Sequence, residues 1–249
     1  MFDFLKKTHR ITYASVSFDG TRPYNEDSLK ILDTDRRKLF ILADGLGGCG
    51  DGKLASQTAV DSAEDTGRES TGSGETFLKE LFESAKETVT EKKENPEKGM
   101  ATTMVVLDIE GKTAQWAHVG DSRLYFFRKN RFEAHTKDHS VPQMLVNIGQ
   151  IKESEIRHHP DRSSLLHTIG YPWDGNPCEA SEQIRIRSGD AFLLCSDGFW
   201  ENIEDAEMEE ILAQSPDVET WLENMTEAVK THAGDADMDN CSAICVYIE

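Results

Sequence analysis

The sequence has no paired-cysteine motif: its five cysteines are an odd number, and no two of them are spaced as C-x-x-C. This argues against a disulfide framework and against the common zinc sites. The sequence also lacks an apolar run of the ~20 residues that a membrane-spanning helix needs. Its N-terminus, MFDFLKKTHR, has no apolar stretch of signal-peptide length. We therefore expect a cytoplasmic protein without stable membrane insertion.

Positive charge is also scarce. The 249 residues include 27 Lys and Arg against 46 Asp and Glu, which gives a net charge of −19. Such a chain repels nucleic acid and anionic lipid at long range. A phosphate-bearing substrate would therefore need a strong local positive charge, and a bound divalent cation is the obvious source. Most of the acidic residues are expected on solvated helix faces.

The spacing of apolar residues predicts about ten strands, joined mostly by tight turns, and helices that occur in blocks. The predicted strands are 11–18, 27–32, 39–43, 102–109, 113–119, 122–128, 131–135, 183–187, 191–195 and 241–248. The predicted helices are 53–64, 75–93, 203–213 and 216–232, with a polar loop at 66–76 and an irregular stretch at 138–180. This order favours an α+β fold of layered antiparallel sheets with outer helices over a doubly wound parallel sheet. Residues 1–249 are expected to form a single domain.

The stretch LFILADGLGGCGDGKLAS allows two interpretations. Gly47 and the pair Gly52-Lys53 fit most of the phosphate-loop pattern GxxxxGK[ST], which indicates a nucleotide site. However, Leu54 replaces the hydroxyl that holds magnesium in that pattern, acidic side chains in the loop would repel a triphosphate, and the βαβ alternation is missing. We favour the second interpretation. In it, Asp44 ends a buried strand and binds a hard cation, because Mg²⁺ and Mn²⁺ prefer oxygen ligands.

An acidic residue at a strand end, beside a small or polar residue, occurs five times. Asp44 and Asp197 each end an apolar run, are followed by glycine and lead into a helix, whereas a hairpin turn would lead into a strand. Asp121 lies between two predicted strands, and Asp27 and Asp239 each precede one. One such acid is a turn residue. Five that converge at one edge of a sandwich form a carboxylate site suited to two or three divalent cations.

Eight motifs, in order along the chain, resemble those of a known family: R…NED, ADGLGG, GMATTMVV, GDSR, KDHS, LLHTIG, SDGFWE and DN. The series resembles the metal-dependent Ser/Thr protein phosphatases, the type 2C or PPM family, in its compact bacterial branch. Each motif alone is weakly specific, whereas the ordered set is specific and extends from Ile11 to Ile248. The resemblance implies a four-layer αββα sandwich, with two mostly antiparallel sheets flanked by helices. It also implies hydrolysis of phosphoserine and phosphothreonine in proteins.

The resemblance further implies roles for individual residues. Asp44 would bridge two metal ions, Gly45 would contribute its carbonyl oxygen, and Arg22 would bind the substrate phosphate, with Pro23 holding its backbone extended. Asp197 and Asp239 would complete the core cluster of metal ligands. Asp27 would bind a metal or orient its water. Asp121 would share a third, looser metal with Asp197. Glu26 would lie just outside the ligands. The implied cofactors are two or three divalent cations, Mn²⁺ or Mg²⁺.

Two more expectations concern the surroundings of the site. The segment 142–165 would be a flap that contacts the substrate. Leu46 stands where some relatives carry a histidine, the candidate general acid, so the proton donor is unassigned and a metal-bound water is our hypothesis. His139, in KDHS, is interpreted as a structural hydrogen-bonding residue.

The expected reaction is an in-line attack on phosphorus by a water or hydroxide that bridges two cations, since one metal ion alone lowers the pKa of water from 15.7 to about 7. The cations and Arg22 would neutralise the phosphoryl oxygens. No protein nucleophile is needed, so no phosphoenzyme is expected. The expected partner is a phosphorylated protein, the target of a Ser/Thr kinase. The chain is expected to be a monomer that binds no nucleic acid.

Other phosphatase chemistries fit less well. A cysteine phosphatase places an arginine six residues after its cysteine, and none of the five cysteines is followed by arginine at that distance. Asp33 and Asp35 have the spacing of an aspartyl-phosphate site, but a strand follows them directly, so they are interpreted as a hairpin turn. The alternative from another class is a catalytically weak or inactive regulator with the same fold, which binds a phosphoprotein without turnover. Such a protein should have lost core carboxylates.

Overall fold

The computed structural model describes residues 9–47, 50–93, 99–234 and 237–249. Its strands are β1 (Ile11–Phe18), β2 (Ser28–Asp33), β3 (Arg37–Ala43), β4 (Met104–Glu110), β5 (Thr113–Val119), β6 (Arg123–Arg128), β7 (Arg131–His135), β8 (Glu179–Ala180), β9 (Ile184–Arg185), β10 (Asp190–Cys195) and β11 (Cys241–Ile248). Its helices are α1 (Gly52–Glu69), α2 (Gly74–Glu91), α3 (Val141–Asn147), α4 (Asp197–Trp200), α5 (Asp205–Gln214) and α6 (Val218–Ala233), with a 3₁₀-helix at Glu153–His158. None of the helices in these ranges is long and apolar enough to cross a lipid bilayer.

The strands form two sheets. The first has the order β1-β11-β10-β6-β7, and the second has the order β2-β3-β4-β5-β8, with β9 also paired to β5. All of these pairings are antiparallel. Strands β6 and β7 pair through a short turn: Lys129 and Asn130 have φ angles of 53° and 60°, the geometry of a two-residue hairpin loop. The prediction of antiparallel sheets is therefore confirmed.

Three apolar clusters fill the spaces between four layers. One lies between the two sheets and includes Phe40 and Phe192. The second packs the outer face of the β2–β8 sheet against α1 and α2 through residues such as Phe82. The third packs the outer face of the β1–β7 sheet against α4, α5 and α6 around Trp221. The layer order is thus α, β, β, α, and β3 and β10 are continuous apolar runs because both of their faces are buried.

The polar loop predicted at 66–76 is wrong in extent. Helix α1 continues to Glu69, and α2 already begins at Gly74. The polar residues of this region bond across the helix pair: the hydroxyls of Ser62 and Thr66 each lie 3.0 Å from the hydroxyl of Ser84. The polar residue Thr66, predicted in the loop, therefore belongs to α1 and bonds to α2.

The stretch predicted to be irregular, 138–180, contains helix α3 and the 3₁₀-helix. Ser140 caps α3, because its hydroxyl accepts a hydrogen bond from the backbone N–H of Gln143 at 3.3 Å. The two ends of the segment 142–165 meet at its base. There the N–H of Val141 donates to the carbonyl of Ser164 at 2.9 Å, and the N–H of Leu166 donates to the carbonyl of His139 at 2.7 Å. This segment therefore leaves and rejoins the sandwich at one place.

Candidate metal centre

Strand register brings Asp27 and Asp44 together in the second sheet. Ser28, the first residue of β2, pairs with Ala43, the last residue of β3. Asp27 and Asp44 are the next residues outward on these two antiparallel strands, so they lie side by side at one end of the sheet. Their proximity contributes to the raised pKa of Asp44.

Register in the first sheet brings the other three predicted aspartates to the same end. Cys195 of β10 pairs with Ala243 of β11 and with Arg123 of β6. Asp197 lies two residues after the end of β10. Asp121 lies two residues before the start of β6, and Asp239 two residues before the start of β11. Asp197 and Asp239 both help to raise the pKa of Asp27 in the second sheet. All five acids of the sequence prediction therefore converge at one edge of the sandwich.

Asp27 is almost completely buried, with 2% of its surface exposed. One of its carboxylate oxygens, Oδ2, accepts a hydrogen bond from the hydroxyl of Ser196 at 2.9 Å. The other, Oδ1, is buried without a hydrogen-bond partner among the described residues. Burial, together with the charges of Asp197 and Asp239, raises the pKa of Asp27 to about 7. A buried carboxylate oxygen without a donor is suited to a cation.

Asp44 of the second sheet and Asp197 of the first lie close enough for each to affect the pKa of the other. Burial raises the pKa of Asp197 to about 7, with contributions from Glu201 and Asp239. Burial also raises the pKa of Asp44 well above its usual range, and the neighbouring Asp27, Asp197 and Asp121 add to the shift. Like charges at this spacing repel unless protons or cations lie between them.

The aspartates are close but not tightly clustered. Within the described ranges, the one group of three His, Cys, Asp or Glu side chains whose ligand atoms lie within 4.8 Å of one another is His118, His139 and Glu179. The aspartate oxygens are spaced more widely. Such spacing leaves room for water and backbone carbonyls around each ion, which is how Mg²⁺ is commonly held in proteins.

The backbone at Asp44 is fixed by the two threonines of the GMATTMVV motif. The carbonyl of Asp44 accepts hydrogen bonds from the hydroxyl of Thr102 at 2.7 Å and from the N–H of Thr103 at 2.9 Å. The N–H of Asp44 donates to the hydroxyl of Thr103 at 3.0 Å. Gly45 follows in a crowded position: a Cβ there would lie 2.3 Å from the carbonyl oxygen of Gly52 and 2.7 Å from that of Glu26. Only glycine fits at this position.

Asp121 lies deeper than Asp44, with 4% of its surface exposed. Burial raises its pKa well above the usual range, and Asp197 is the largest neighbouring contributor. Its backbone carbonyl accepts a hydrogen bond from the indole N–H of Trp200 at 3.0 Å. The adjacent Arg123 forms a buried, two-bond ion pair with Asp138, at 2.8 and 2.7 Å. This ion pair joins the GDSR and KDHS motifs beneath the centre.

Arg22 and Asp239 pair directly. The Nε atom of Arg22 donates to one carboxylate oxygen of Asp239 at 3.1 Å, and Nη2 donates to the other at 2.9 Å. Both side chains are nearly half exposed, at 46% and 45%. Among the described residues, Asp239 is the one predicted ligand with a basic partner, because Asp27, Asp44, Asp121 and Asp197 have no ion pair there.

Lys53, the lysine of the phosphate-loop pattern, bonds back to the start of β2. Its Nζ donates to the backbone carbonyl of Asp27 at 2.7 Å. Glu26 accepts a hydrogen bond from the backbone N–H of Lys53 at the start of α1, and burial raises its pKa. Asp51, at the N-cap position itself, makes no capping hydrogen bond. Glu26 and Lys53 therefore support the backbone around Asp27.

His139 is placed for a structural role. Its Nδ1 accepts a hydrogen bond from the N–H of Gly120 at 3.3 Å, and its ring stacks on His118 at 4.6 Å. Burial lowers the pKa of His139 to about 3, and His118 and His167 add to the shift. The ring is therefore neutral near pH 7, which agrees with the interpretation of His139 as a hydrogen-bonding residue. Leu46, beside Gly45, offers no proton at all.

An open cleft of about 600 Å³ lies over this edge of the sandwich. Its lining includes Arg22, Asp197, Asp239, Arg162 and Glu201. Arg162 belongs to the segment 142–165, and its Nε donates to the carboxylate of Glu201 at 2.8 Å. The cleft is thus lined by both acidic residues and three arginines, Arg22, Arg157 and Arg162.

The family model for protein phosphatase 2C matches residues 21–241, which covers the cleft and all five aspartates. The chain belongs to the protein phosphatase 2C family. It is 31% identical over 199 residues to a serine/threonine phosphatase stp of Listeria innocua, covering 77% of this chain and 78% of that one. It is 30% identical over 224 residues to protein phosphatase PhpP of Streptococcus pneumoniae, covering 84% of this chain and 85% of that protein.

Solved structures of bacterial phosphatases share this fold. Stp1 from Staphylococcus aureus is 26% identical, with a TM-score of 0.87 and 96% of both chains covered. The catalytic domain of PstP, solved in complex with two manganese ions, is 27% identical, with a TM-score of 0.81 and 97% of this chain and 99% of that one covered. The sequence resemblance to the phosphatase 2C family and the αββα prediction are both confirmed.

Sequence reasoning missed several residues that build the centre of this phosphatase 2C family member. Ser196 donates to Asp27 and accepts from the N–H of Ser242 at 3.0 Å, so it connects β2, β10 and β11. Thr103 and Ser122 share a hydrogen bond of 2.6 Å beneath Asp44. The signals were present in the motifs CSDG, TT and GDS, but side-chain hydroxyls are too common for their spacing alone to indicate such a role.

Proposed function

We propose that this protein hydrolyses phosphoserine and phosphothreonine esters of proteins and that its five convergent aspartates hold two or three divalent cations. The observation that carries the proposal is the convergence of five aspartates at one edge of the sandwich, where Asp27 Oδ1 is buried without a hydrogen-bond partner among the described residues. Burial and the neighbouring carboxylates also raise the pKa of Asp27 and Asp197 to about 7. Folding such a cluster is costly unless positive charge binds to it. Membership of the phosphatase 2C family supports the same conclusion.

The donor set fits Mn²⁺ or Mg²⁺. All the candidate ligands are oxygens, which suits hard cations, and the buried Oδ1 of Asp27 has no other partner in the described residues. PstP, a relative of the same fold, was solved with two manganese ions. In this proposal Asp44, Asp197, Asp239 and the carbonyl of Gly45 would hold the first two ions, Asp27 would bind a metal ion or orient its water, and Asp121 would join Asp197 at a third.

Bound divalent cations supply Lewis acidity, which neutralises phosphoryl oxygens and acidifies water. The chain contributes positioning. Ser196 holds Asp27 in one orientation, and the two threonines hold the backbone of Asp44. Arg22 lies at the rim; its Nε and Nη2 donate to Asp239, and Nη1 is the guanidinium nitrogen left to donate to a phosphoryl oxygen. The described cysteines are buried, and we keep the prediction that no phosphoenzyme forms.

We propose the segment 142–165 as the flap of this site. Arg162 brings it over the cleft through Glu201, and Arg157 ties it to Asp205 at 2.9 Å. Three predictions from the sequence remain to be tested: residues 1–249 as a single domain, a monomeric state, and a cytoplasmic location beside a Ser/Thr kinase whose targets are the substrates. Analytical ultracentrifugation and cell fractionation test the last two.

The decisive experiment is hydrolysis of a phosphothreonine peptide and of p-nitrophenyl phosphate with Mn²⁺, with EDTA, and with EDTA followed by excess Mn²⁺. We expect activity that EDTA abolishes and Mn²⁺ restores. Asp44→Asn and Asp197→Asn should remove turnover while circular dichroism stays that of the wild type. Full activity in chelator would refute the metal mechanism. Binding of phosphopeptides without hydrolysis of any substrate would favour the inactive regulator instead.

A further inference from the structure

A second, smaller depression adjoins the acidic cleft. It encloses about 310 Å³ and is lined by Leu46, Ser163, Leu165, Leu166, His167, Thr168, Tyr171, Pro172 and Trp173. We call it the apolar groove. Ser163 lines both the groove and the cleft, and Leu46 directly follows Gly45, a proposed metal ligand. The groove is therefore continuous with the place where a phosphoryl group would bind.

The chemistry of the groove differs from that of the cleft. Its lining contains no Asp, Glu, Lys or Arg, whereas the cleft lining includes three aspartates, two glutamates and three arginines. On a chain of net charge −19, a surface depression without acidic residues is unusual. Lys86 and Lys93 lie against two of its rings, with Nζ 4.5 Å from the ring centroids of Trp173 and Tyr171. An apolar side chain placed against the leucines would be removed from water.

Large apolar side chains are exposed in this groove. Leu166 has 47% of its surface exposed and Tyr171 has 43%. Exposed apolar patches beside polar rims often mark binding surfaces in soluble proteins. Here such a patch lies within the substrate approach to a phosphatase site.

The groove is already formed by ordered backbone. The indole N–H of Trp173 donates to the carbonyl of Thr168 at 2.8 Å, and the ring packs on the apolar core. Ile169, fully buried, exchanges two backbone hydrogen bonds with Thr102, at 3.0 and 2.8 Å. Thr102 is also the residue that bonds the carbonyl of Asp44. The groove and the metal centre thus share one rigid support, so their separation is fixed.

From these observations we propose that the apolar groove binds a leucine-like or aromatic side chain of the phosphoprotein, within a few residues of the phosphoserine or phosphothreonine. This rests on the proposed function and names its preferred substrate class: phosphopeptides with an apolar residue beside the phosphoresidue. Leu46 and Leu166 contact that side chain, and Leu46 thereby has a role in recognition in place of proton donation.

The test is a set of phosphothreonine peptides in which each of the three residues on either side of phosphothreonine is leucine or serine in turn. Initial phosphate release with Mn²⁺ gives kcat/KM for each peptide, and p-nitrophenyl phosphate serves as a substrate without neighbours. We expect one position at which leucine raises kcat/KM about 10-fold over serine, mainly through KM, as for other apolar pockets.

Two variants test the groove itself. Leu166→Ser should remove the preference for leucine and leave kcat/KM for the serine peptides and for p-nitrophenyl phosphate unchanged. Leu54→Ser is the matched control, because Leu54 is the same residue type and similarly exposed, at 46%, but lies outside both the groove and the segment 142–165; it should keep the preference. Leu166→Phe should still hydrolyse peptides with an apolar neighbour faster than serine peptides, but the order of preference among apolar side chains should change.

The outcomes separate this inference from the proposed function. Equal kcat/KM for leucine and serine at all six positions, in an enzyme that hydrolyses these substrates, overturns the groove proposal alone. A full leucine preference in Leu166→Ser does the same. Failure to hydrolyse any peptide or p-nitrophenyl phosphate overturns the proposed function, and the groove proposal with it.

Discussion

Arg22, the predicted phosphate-binding residue, forms a two-bond ion pair with Asp239, a predicted metal ligand, at 3.1 and 2.9 Å. Seen separately in the sequence, the two residues have independent roles. Their pairing fixes the guanidinium beside the cation cluster, so that a phosphoryl group bound by the cations would lie within its reach. Arg22 would then bind both the carboxylate of Asp239 and the phosphate of the substrate.

Replacing Arg22 tests this arrangement. Because a hydrogen bond between charged groups contributes roughly 1.5–3 kcal/mol, Arg22→Ala should lower kcat/KM for phosphopeptides by about 10- to 100-fold. Arg22→Lys keeps the charge but loses the planar fork, so it should recover only part of the activity. Steady-state kinetics with saturating Mn²⁺ measures both. Wild-type kcat/KM in Arg22→Ala would remove Arg22 from phosphate binding.

Neutralising an aspartate of the cluster should lower the activity and raise the stability of the metal-free protein. Asp197→Asn removes a buried charge among other acids, so in EDTA it should raise the free energy of unfolding by about 1–3 kcal/mol while abolishing turnover. Urea unfolding in EDTA and peptide hydrolysis in Mn²⁺ give the two quantities. Asp174→Asn is the control, because it makes the same charge change at an exposed residue outside the cluster. A metal-free Asp197→Asn protein less stable than the wild type would contradict the repulsion.

The pH dependence of metal-free stability follows from the raised pKa values. Asp27 and Asp197 have a pKa of about 7 in the folded chain and about 3.9 when unfolded. The folded state therefore binds these protons more tightly, so their stabilising effect is complete below the unfolded pKa and is lost as pH rises through about 7. Unfolding in EDTA across this range should show that decline. Asp27→Asn should flatten it.

Metal affinity should depend on pH in the opposite direction. Cations displace the protons held by the cluster, so Mn²⁺ affinity should fall as pH drops from about 8 to about 6. Isothermal titration calorimetry in two buffers of different ionisation enthalpy counts the protons released. Equal affinity at both pH values, without proton release, would show that the carboxylates are already ionised before the metal binds.

The close packing at Gly45 predicts a steric effect. In Gly45→Ala, the Cβ would meet backbone oxygens at 2.3 and 2.7 Å, so the loop must shift and carry Asp44 with it. We expect at least a 10-fold loss of Mn²⁺ affinity, by analogy with the effect of displaced supports at metal sites. Gly175→Ala is the control, because no atom lies within 4 Å of the Cβ there, although φ is +83°. Unchanged metal affinity in Gly45→Ala would show that the loop adapts.

Some features of the fold followed from sequence because they depend on neighbouring residues. Apolar alternation and short turns predicted β1, β5, β7 and β11 with their observed bounds, since side-chain period and turn chemistry are local. The start of α2 was predicted to within one residue, but the end of α1 at Glu69 was not, because polar residues such as Thr66 bond to α2. The two helical segments within 138–180 were missed for a similar reason: they are short, and packing onto the sandwich stabilises them more than propensity does.

The sequence by itself determined the ordered motifs, the family and the five acids at strand ends, because each of these is a pattern within a few residues of chain. Only the tertiary structure decided which side chains meet. It paired Arg22 with Asp239 and Arg123 with Asp138, and it turned Lys53 toward the backbone of Asp27. Such contacts depend on strand register and on how layers far apart in sequence are packed, so no local pattern specifies them.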